Sequence, residues 1–215
     1  MRENLKKLIQ KLPFLYRLSH NYLARRRGIA ELKEWTRSGK PLPPPHFHKQ
    51  LVLREYAKRF QLKVLVETGT FYGDMVETMR PFFNQIFSIE LSDSLYEMAK
   101  QRFIGVKNIE IIHGDSSKEL KGILNRLDQP ALFWLDGHYS AGDTAQGLKD
   151  TPIYEELTQI FEAENHQHVI IIDDARCFGQ DPAYPNIEEL IEFVKSYRQE
   201  VDVIVKDDSI RITPL

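Results

Sequence analysis

The sequence predicts an α/β fold: a seven-stranded, mostly parallel sheet with helices on both faces, a terminal antiparallel hairpin and a helical N-terminal extension. Three observations carry this. From residue 63 on, short apolar runs alternate with helical patterns over short connections. The final two runs, 201–205 and 209–213, are separated only by Lys206-Asp207-Asp208, too little chain for a parallel crossover. Each parallel run also ends on or beside a carboxylate: Glu67, Glu90, Asp115, Asp136 and the pair Asp173-Asp174.

Residues 3–37 read as helical segments broken near Pro13 and Gly28. Pro41-Leu42-Pro43-Pro44-Pro45 cannot be helix interior and reads as an extended connector. Residues 1–47 therefore form an extension and 48–215 the α/β domain. His46 and His48, flanking Phe47, are expected at the solvent. The domain opens with an amphipathic helix over 48–60, with Leu51, Val52, Tyr56 and Phe60 on one side. Strands are then expected at 63–67, 86–90, 109–113, 131–135 and 168–173. The helices between and after them are expected at 73–81, 93–103, 117–126, 152–163 and 187–198. The connection from Asp136 to Thr151 is long and rich in Gly, Ser, Asp and Thr, as functional loops often are.

The 215 residues suit one core with an extension, and the formal net charge is only −2. That total hides an asymmetry. Residues 1–61 hold 15 Lys and Arg against 4 Asp and Glu, a surplus of 11 positive charges; the rest hold 14 against 27, a surplus of 13 negative ones. The basic arm carries an apolar stripe (Leu5, Leu8, Ile9, Leu12, then Phe14, Leu15, Leu18, Tyr22) closed by Arg25-Arg26-Arg27. It could pack on the body, self-associate through residues 1–37 in a homo-oligomer, or lie on an anionic membrane face. The acidic body argues against a nucleic-acid partner unless the arm supplies the binding. The single Cys177 allows no internal disulfide. Lys6, Lys7, Lys11 and Arg17 interrupt any apolar targeting core, so a cytoplasmic location is expected.

The most informative stretch is Glu67-Thr68-Gly69-Thr70-Phe71-Tyr72-Gly73, a strand end running into a glycine turn and a helix start. Free N–H groups are expected to face a ligand there. The later acids fall at the carboxyl ends of the strands, where open α/β sheets bind ligands. A carboxylate about 20 residues after such a turn suits a ribose diol. A dinucleotide is the rival ligand, but G-x-G-x-x-G is absent.

With these residues, 50–215 resemble the class I S-adenosylmethionine-dependent methyltransferases, a Rossmann-like family. The Glu-Thr-Gly turn with a glycine four residues on is similar to the branch of macrocin-type sugar O-methyltransferases and cephalosporin hydroxylase-like proteins. Phe71 departs from the fuller pattern, standing where a middle glycine often lies. The resemblance implies S-adenosylmethionine held by Glu67, Thr68, Gly69, Thr70 and Gly73. It further implies Glu90 and Leu91 at the ribose, Asp115 and Ser116 at the adenine, and Asp136 beside the reacting end. It implies Mg²⁺ on Asp136, Asp173 and Asp174, with Asp136 thereby catalytic, and a small-molecule hydroxyl as acceptor. His138, two residues past Asp136, is the candidate base, in a neighbourhood where the catechol-type branch has a lysine. Tyr139, Arg176 and Tyr184 are candidate substrate contacts; Arg176 could equally hold a carboxylate. Asp181-Pro182-Ala183-Tyr184 is similar to the D-P-P-Y signature of amino methyltransferases but follows the fifth strand, not the fourth. A nucleic-acid methyltransferase and a non-catalytic module of this fold are the alternatives.

Overall fold

The computed structural model describes residues 13–136, 151–163 and 167–215, with side chains from Tyr22 on. The chain divides into two compact units, Met1–Leu51 and Val52–Leu215, so the division falls inside a helix.

In the first unit, α1 spans Pro13–Arg37 and α2 begins at His46 and runs to Arg59. The expected break at Gly28 does not occur. A Cβ there would lie 2.8 Å from three Phe47 side-chain atoms, so glycine is present for close approach. One glycine inside a helix costs about 1 kcal/mol, too little to stop it. Trp35 is buried, donates from Nε1 to the Pro41 carbonyl at 2.7 Å, and its ring meets that of His48 at 4.7 Å. His48 is therefore half-buried, against the sequence expectation, whereas His46 is exposed. Residues 3–12 of the expected arm lie outside the described residues.

The second unit holds β1 (Val64–Thr68), α3 (Asp74–Met79), β2 (Gln85–Glu90), α4 (Asp93–Arg102), β3 (Ile109–His113), α5 (Ser116–Leu124) and β4 (Ala131–Leu135). It continues with α6 (Ile153–Glu162), β5 (Val169–Ile172), a 3₁₀ turn (Ala175–Cys177), α7 (Ile187–Tyr197), β6 (Val201–Lys206) and β7 (Ser209–Pro214). The expected elements are all present, with bounds within two residues. The seven strands form one sheet in the order β3-β2-β1-β4-β5-β7-β6. β1 to β5 pair in parallel, and β7 runs antiparallel between β5 and β6.

The central strands read as unbroken apolar runs because helices cover both faces; every residue of β1, β4 and β5 is buried. Alternation along each strand feeds two cores. Val66, Phe87, Phe133 and Ile170 pack with Leu120 of α5, Leu157 of α6 and Leu190 of α7. Leu65, Ile86, Leu132 and Ile171 pack with Leu53 of α2 and with Val76 and Met79 of α3. Strand order reverses between β1 and β4, and the crevice at their carboxyl ends is where this topology places a ligand. The terminal hairpin turns on Asp207 and Asp208, at φ 47° and 63°, the positive-φ pair of a two-residue type I′ turn.

Phe133 is fully buried mid-sheet. Phe133→Ala is expected to cost about 3–5 kcal/mol by urea unfolding, against less than about 0.5 kcal/mol for Ile104→Ala on the surface.

Candidate functional site

After β1 the backbone rises through Gly69 (φ 90°), Phe71 (φ 50°) and Gly73 (φ 75°). Hydrogen bonds fix the turn. Gly69 and Thr70 N–H donate to the Ile89 carbonyl at 3.0 and 3.1 Å, and Gly73 N–H to that of Thr70 at 2.8 Å. Phe71 N–H donates to Glu90 Oε2 at 2.7 Å, and Ser92 N–H to Glu90 Oε1 at 2.9 Å. The expectation of free N–H groups is thus overturned at these four turn residues, whose donors are spent inside the protein. α3 is also short, at six residues. This end of the sheet offers carboxylates, which suits a cationic ligand better than a pyrophosphate. Gly73 is required twice over: its φ is left-handed, and a Cβ would lie 2.7 Å from Phe103.

Glu67 is buried beneath this turn. Ser88 Oγ donates to its Oε2 at 2.5 Å and lies 2.6 Å from Thr70 Oγ1. Burial pushes its pKa up to about 8; the Ser88 hydrogen bond opposes the shift and Glu90 adds to it. Burial also raises Glu90, opposed by N–H donation from Ser92, Phe71 and Leu91. These contacts leave Glu90 with unspent acceptor capacity for a hydroxyl donor.

Asp115 caps α5, accepting from Ser117 N at 3.0 Å and Ser117 Oγ at 2.7 Å. Beside it stands an acid that sequence reasoning missed. Glu156 is 1% exposed on α6, and burial pushes its pKa up to about 7. The Ser116 hydroxyl opposes that shift; Thr68 Oγ1 is near without closing a well-formed bond, and Asp115 and Glu155 add to the rise. The signal was present. Ile153, Glu156, Leu157 and Ile160 share one helical stripe, so the acid occupies a core position.

At β4 and β5 the ladder runs on past the strands. Asp136 N–H donates to the Thr68 carbonyl at 3.1 Å and Asp173 N–H to that of Leu135 at 3.0 Å. Asp136, Asp173 and Asp174 thereby converge, one oxygen from each lying within 4.8 Å of the others. Arg176 holds two carboxylates. Its Nη1 donates to Asp174 Oδ1 at 2.6 Å and to Asp208 Oδ2. Partial burial works against its charge, but these two acids outweigh that and raise its pKa. Asp208, also missed, accepts from Arg176 N at 2.9 Å, so the hairpin turn grips the chain just past the acid pair. Tyr184 lines a small cleft with Glu156, Asp173 and Phe178, its ring 5.1 Å from that of Phe178. Burial raises the Cys177 thiol, as suits an inert side chain. His138 and Tyr139 lie outside the described residues, so the structure does not place them. His113, at the end of β3, is exposed, pairs with Asp93 at 2.9 Å and stacks on the Tyr96 ring at 4.7 Å.

This strand order, with acids at the carboxyl ends of β1, β2, β4 and β5, is that of a Rossmann-like sheet, a fold it shares with solved methyltransferases. No protein-family model matches the chain, and no curated protein matches it in sequence. Solved structures do. An O-methyltransferase from Bacillus cereus in complex with S-adenosylhomocysteine superposes at a TM-score of 0.57 with 13% identity, covering 86% of this chain and 89% of that one. The Podospora anserina methyltransferase PaMTH1, bound to S-adenosylhomocysteine, gives 0.53 with 18% identity over 87% and 88%. A Clostridium thermocellum chain provisionally described as an rRNA methylase gives 0.53 with 16% identity over 75% and 95%. At these identities the likeness shows the fold. No described helix is long and apolar enough to cross a membrane.

The raised acids make stability pH-dependent with a definite sign. A carboxyl whose folded pKa lies above its ordinary 4.5 contributes most when protonated, and that contribution fades as pH rises. Urea-derived stability is expected to fall from pH 4.5 to about 7–8, and Glu67→Gln is expected to flatten the upper part of that fall.

Proposed function

We propose that this chain is an S-adenosylmethionine-dependent methyltransferase acting on a hydroxyl of a small molecule, a sugar or glycan-type metabolite, with Mg²⁺ held by Asp136, Asp173 and Asp174. The observation that carries the reading is the convergence of half-buried Asp136 with buried Asp173 and Asp174 at the strand ends beside the crevice where strand order reverses. Glu67 and the turn Thr68, Gly69, Thr70 and Gly73 would hold the methionine end. Glu90 and Leu91 would hold the ribose, and Asp115 and Ser116 the adenine. The sugar class follows from the macrocin-branch resemblance.

Three carboxylates within 4.8 Å repel one another, and Arg176 supplies one positive charge, at Asp174. The donor set of oxygens from neighbouring strand ends fits a hard divalent cation. When bound, such a cation lowers the pKa of a coordinated hydroxyl and orients it. The chain's own part is alignment. Its rigid strand ends fix the acids, and the turn would hold the cofactor so that an acceptor oxygen could approach the methyl group in line. His138 is assigned the acceptor proton in this reading, and Tyr184 a place against the acceptor.

Calorimetric titration with S-adenosylhomocysteine, with and without Mg²⁺, tests the cofactor. Micromolar affinity is expected; no binding by folded protein would overturn the reading and favour a dinucleotide or a non-catalytic role. Glu90→Ala is expected to weaken binding by about 1.5–3 kcal/mol, as for loss of hydrogen bonds to a charged group. Asp136→Ala and Asp173→Ala are expected to abolish Mg²⁺-dependent turnover with the circular dichroism spectrum unchanged, and full activity in EDTA would exclude the cation.

A further inference from the structure

Among the described strands, β6 is one edge of the sheet, paired only with β7. Its sequence, Val201-Asp202-Val203-Ile204-Val205-Lys206, is β-branched in four of six positions, and no proline or bulge blunts it. Such an edge is a template for another strand. Ile204 and Val205, 40% and 44% exposed, are its most exposed apolar residues.

We infer that β6 is a self-complementary edge that pairs antiparallel with β6 of a second copy, extending the sheet across a twofold axis at Ile204. Hydrogen-bond geometry permits this register, and charge selects it among those that keep like faces together. The two-residue turn makes Lys206 and Ser209 a hydrogen-bonded pair, so Lys206, Ile204 and Asp202 direct their backbone groups to β7. Val201, Val203 and Val205 therefore direct theirs outward. A twofold axis through Ile204 sets Val203 opposite Val205 of the partner subunit as a hydrogen-bonded pair. Asp202 then stands opposite Lys206 of the partner subunit in the closer, non-hydrogen-bonded spacing, twice over.

Other registers that keep like faces together are worse. An axis at Val203 sets Asp202 against Ile204, and one at Val205 sets Lys206 against Ile204. Axes at Asp202 or Lys206 oppose like charges. Within its own hairpin Asp202 faces Thr213 and Lys206 faces Ser209, so neither meets an opposite charge across the ladder. The second copy supplies both missing partners. Val203 already packs against the core that includes Leu190 and Val194 of α7, and pairing would carry that apolar layer across the axis. One strand pair buries little area, so the dimer is weak and concentration-dependent.

Sedimentation of the full chain from about 1 to 200 μM in low salt is expected to show a monomer–dimer equilibrium. Asp202→Lys and Lys206→Asp, each folded by circular dichroism, are expected to weaken it at least about tenfold, because each sets two like-charge pairs across the axis. Mixing the two variants restores attraction at both pairs, and a heterodimer is expected, as is a dimer of the double swap. A monomer at all concentrations would overturn the proposal. So would a dimer indifferent to both single substitutions, or the failure of the mixed variants to associate.

Discussion

The parallel sheet is covered on both faces, and that decides where polarity can go. With β1, β4 and β5 buried along their whole length, a carboxylate within a strand loses its hydration, and Glu67 near the end of β1 exchanges it for the Ser88 hydroxyl. At the carboxyl ends, the backbone of the next turn supplies donors. Glu90 takes N–H groups from Phe71 and Ser92, and Asp115 takes one from Ser117. The acids therefore gather on one rim, and full burial pushes Glu67, with Glu156 of α6 beside the rim, toward the neutral form. Fold and site are one solution to the same desolvation problem.

That constraint also separates ligand classes. A phosphate site needs unspent N–H groups, and here the turn uses its donors to hold Glu90 and the β2 carbonyl at Ile89. The glycine turn is thus a backbone clamp for an acid. Phe71 takes part despite its left-handed φ, a conformation costing a branched or bulky residue about 1–2 kcal/mol. The bond to Glu90 helps hold it there.

Much of this was legible in the sequence because two periodicities carry it. Alternation and apolar runs placed every strand, and the acids that end them placed the rim. Three things were not legible. Gly28 reads as a breaker because local propensity cannot see Phe47 pressed against it. Glu156 hides in the helical pattern as an ordinary charge unless its stripe with Ile153, Leu157 and Ile160 is drawn. Asp208 is distant in sequence from Arg176, and only the insertion of β7 between β5 and β6 brings them together. Long-range pairing of that kind leaves no local trace.

The Asp208 turn has a consequence for how the protein comes into being. β1 to β5 can assemble from the first part of the domain as it leaves the ribosome, but Arg176 lacks its second carboxylate until the hairpin folds back beside β5. The rim is therefore complete only when the β6–β7 hairpin is in place. A chain whose synthesis stops before residue 208 could hold most of its hydrophobic layers, yet its acid pair would have a differently anchored arginine. Completion of the crevice is coupled in this way to docking of the β6–β7 hairpin beside β5.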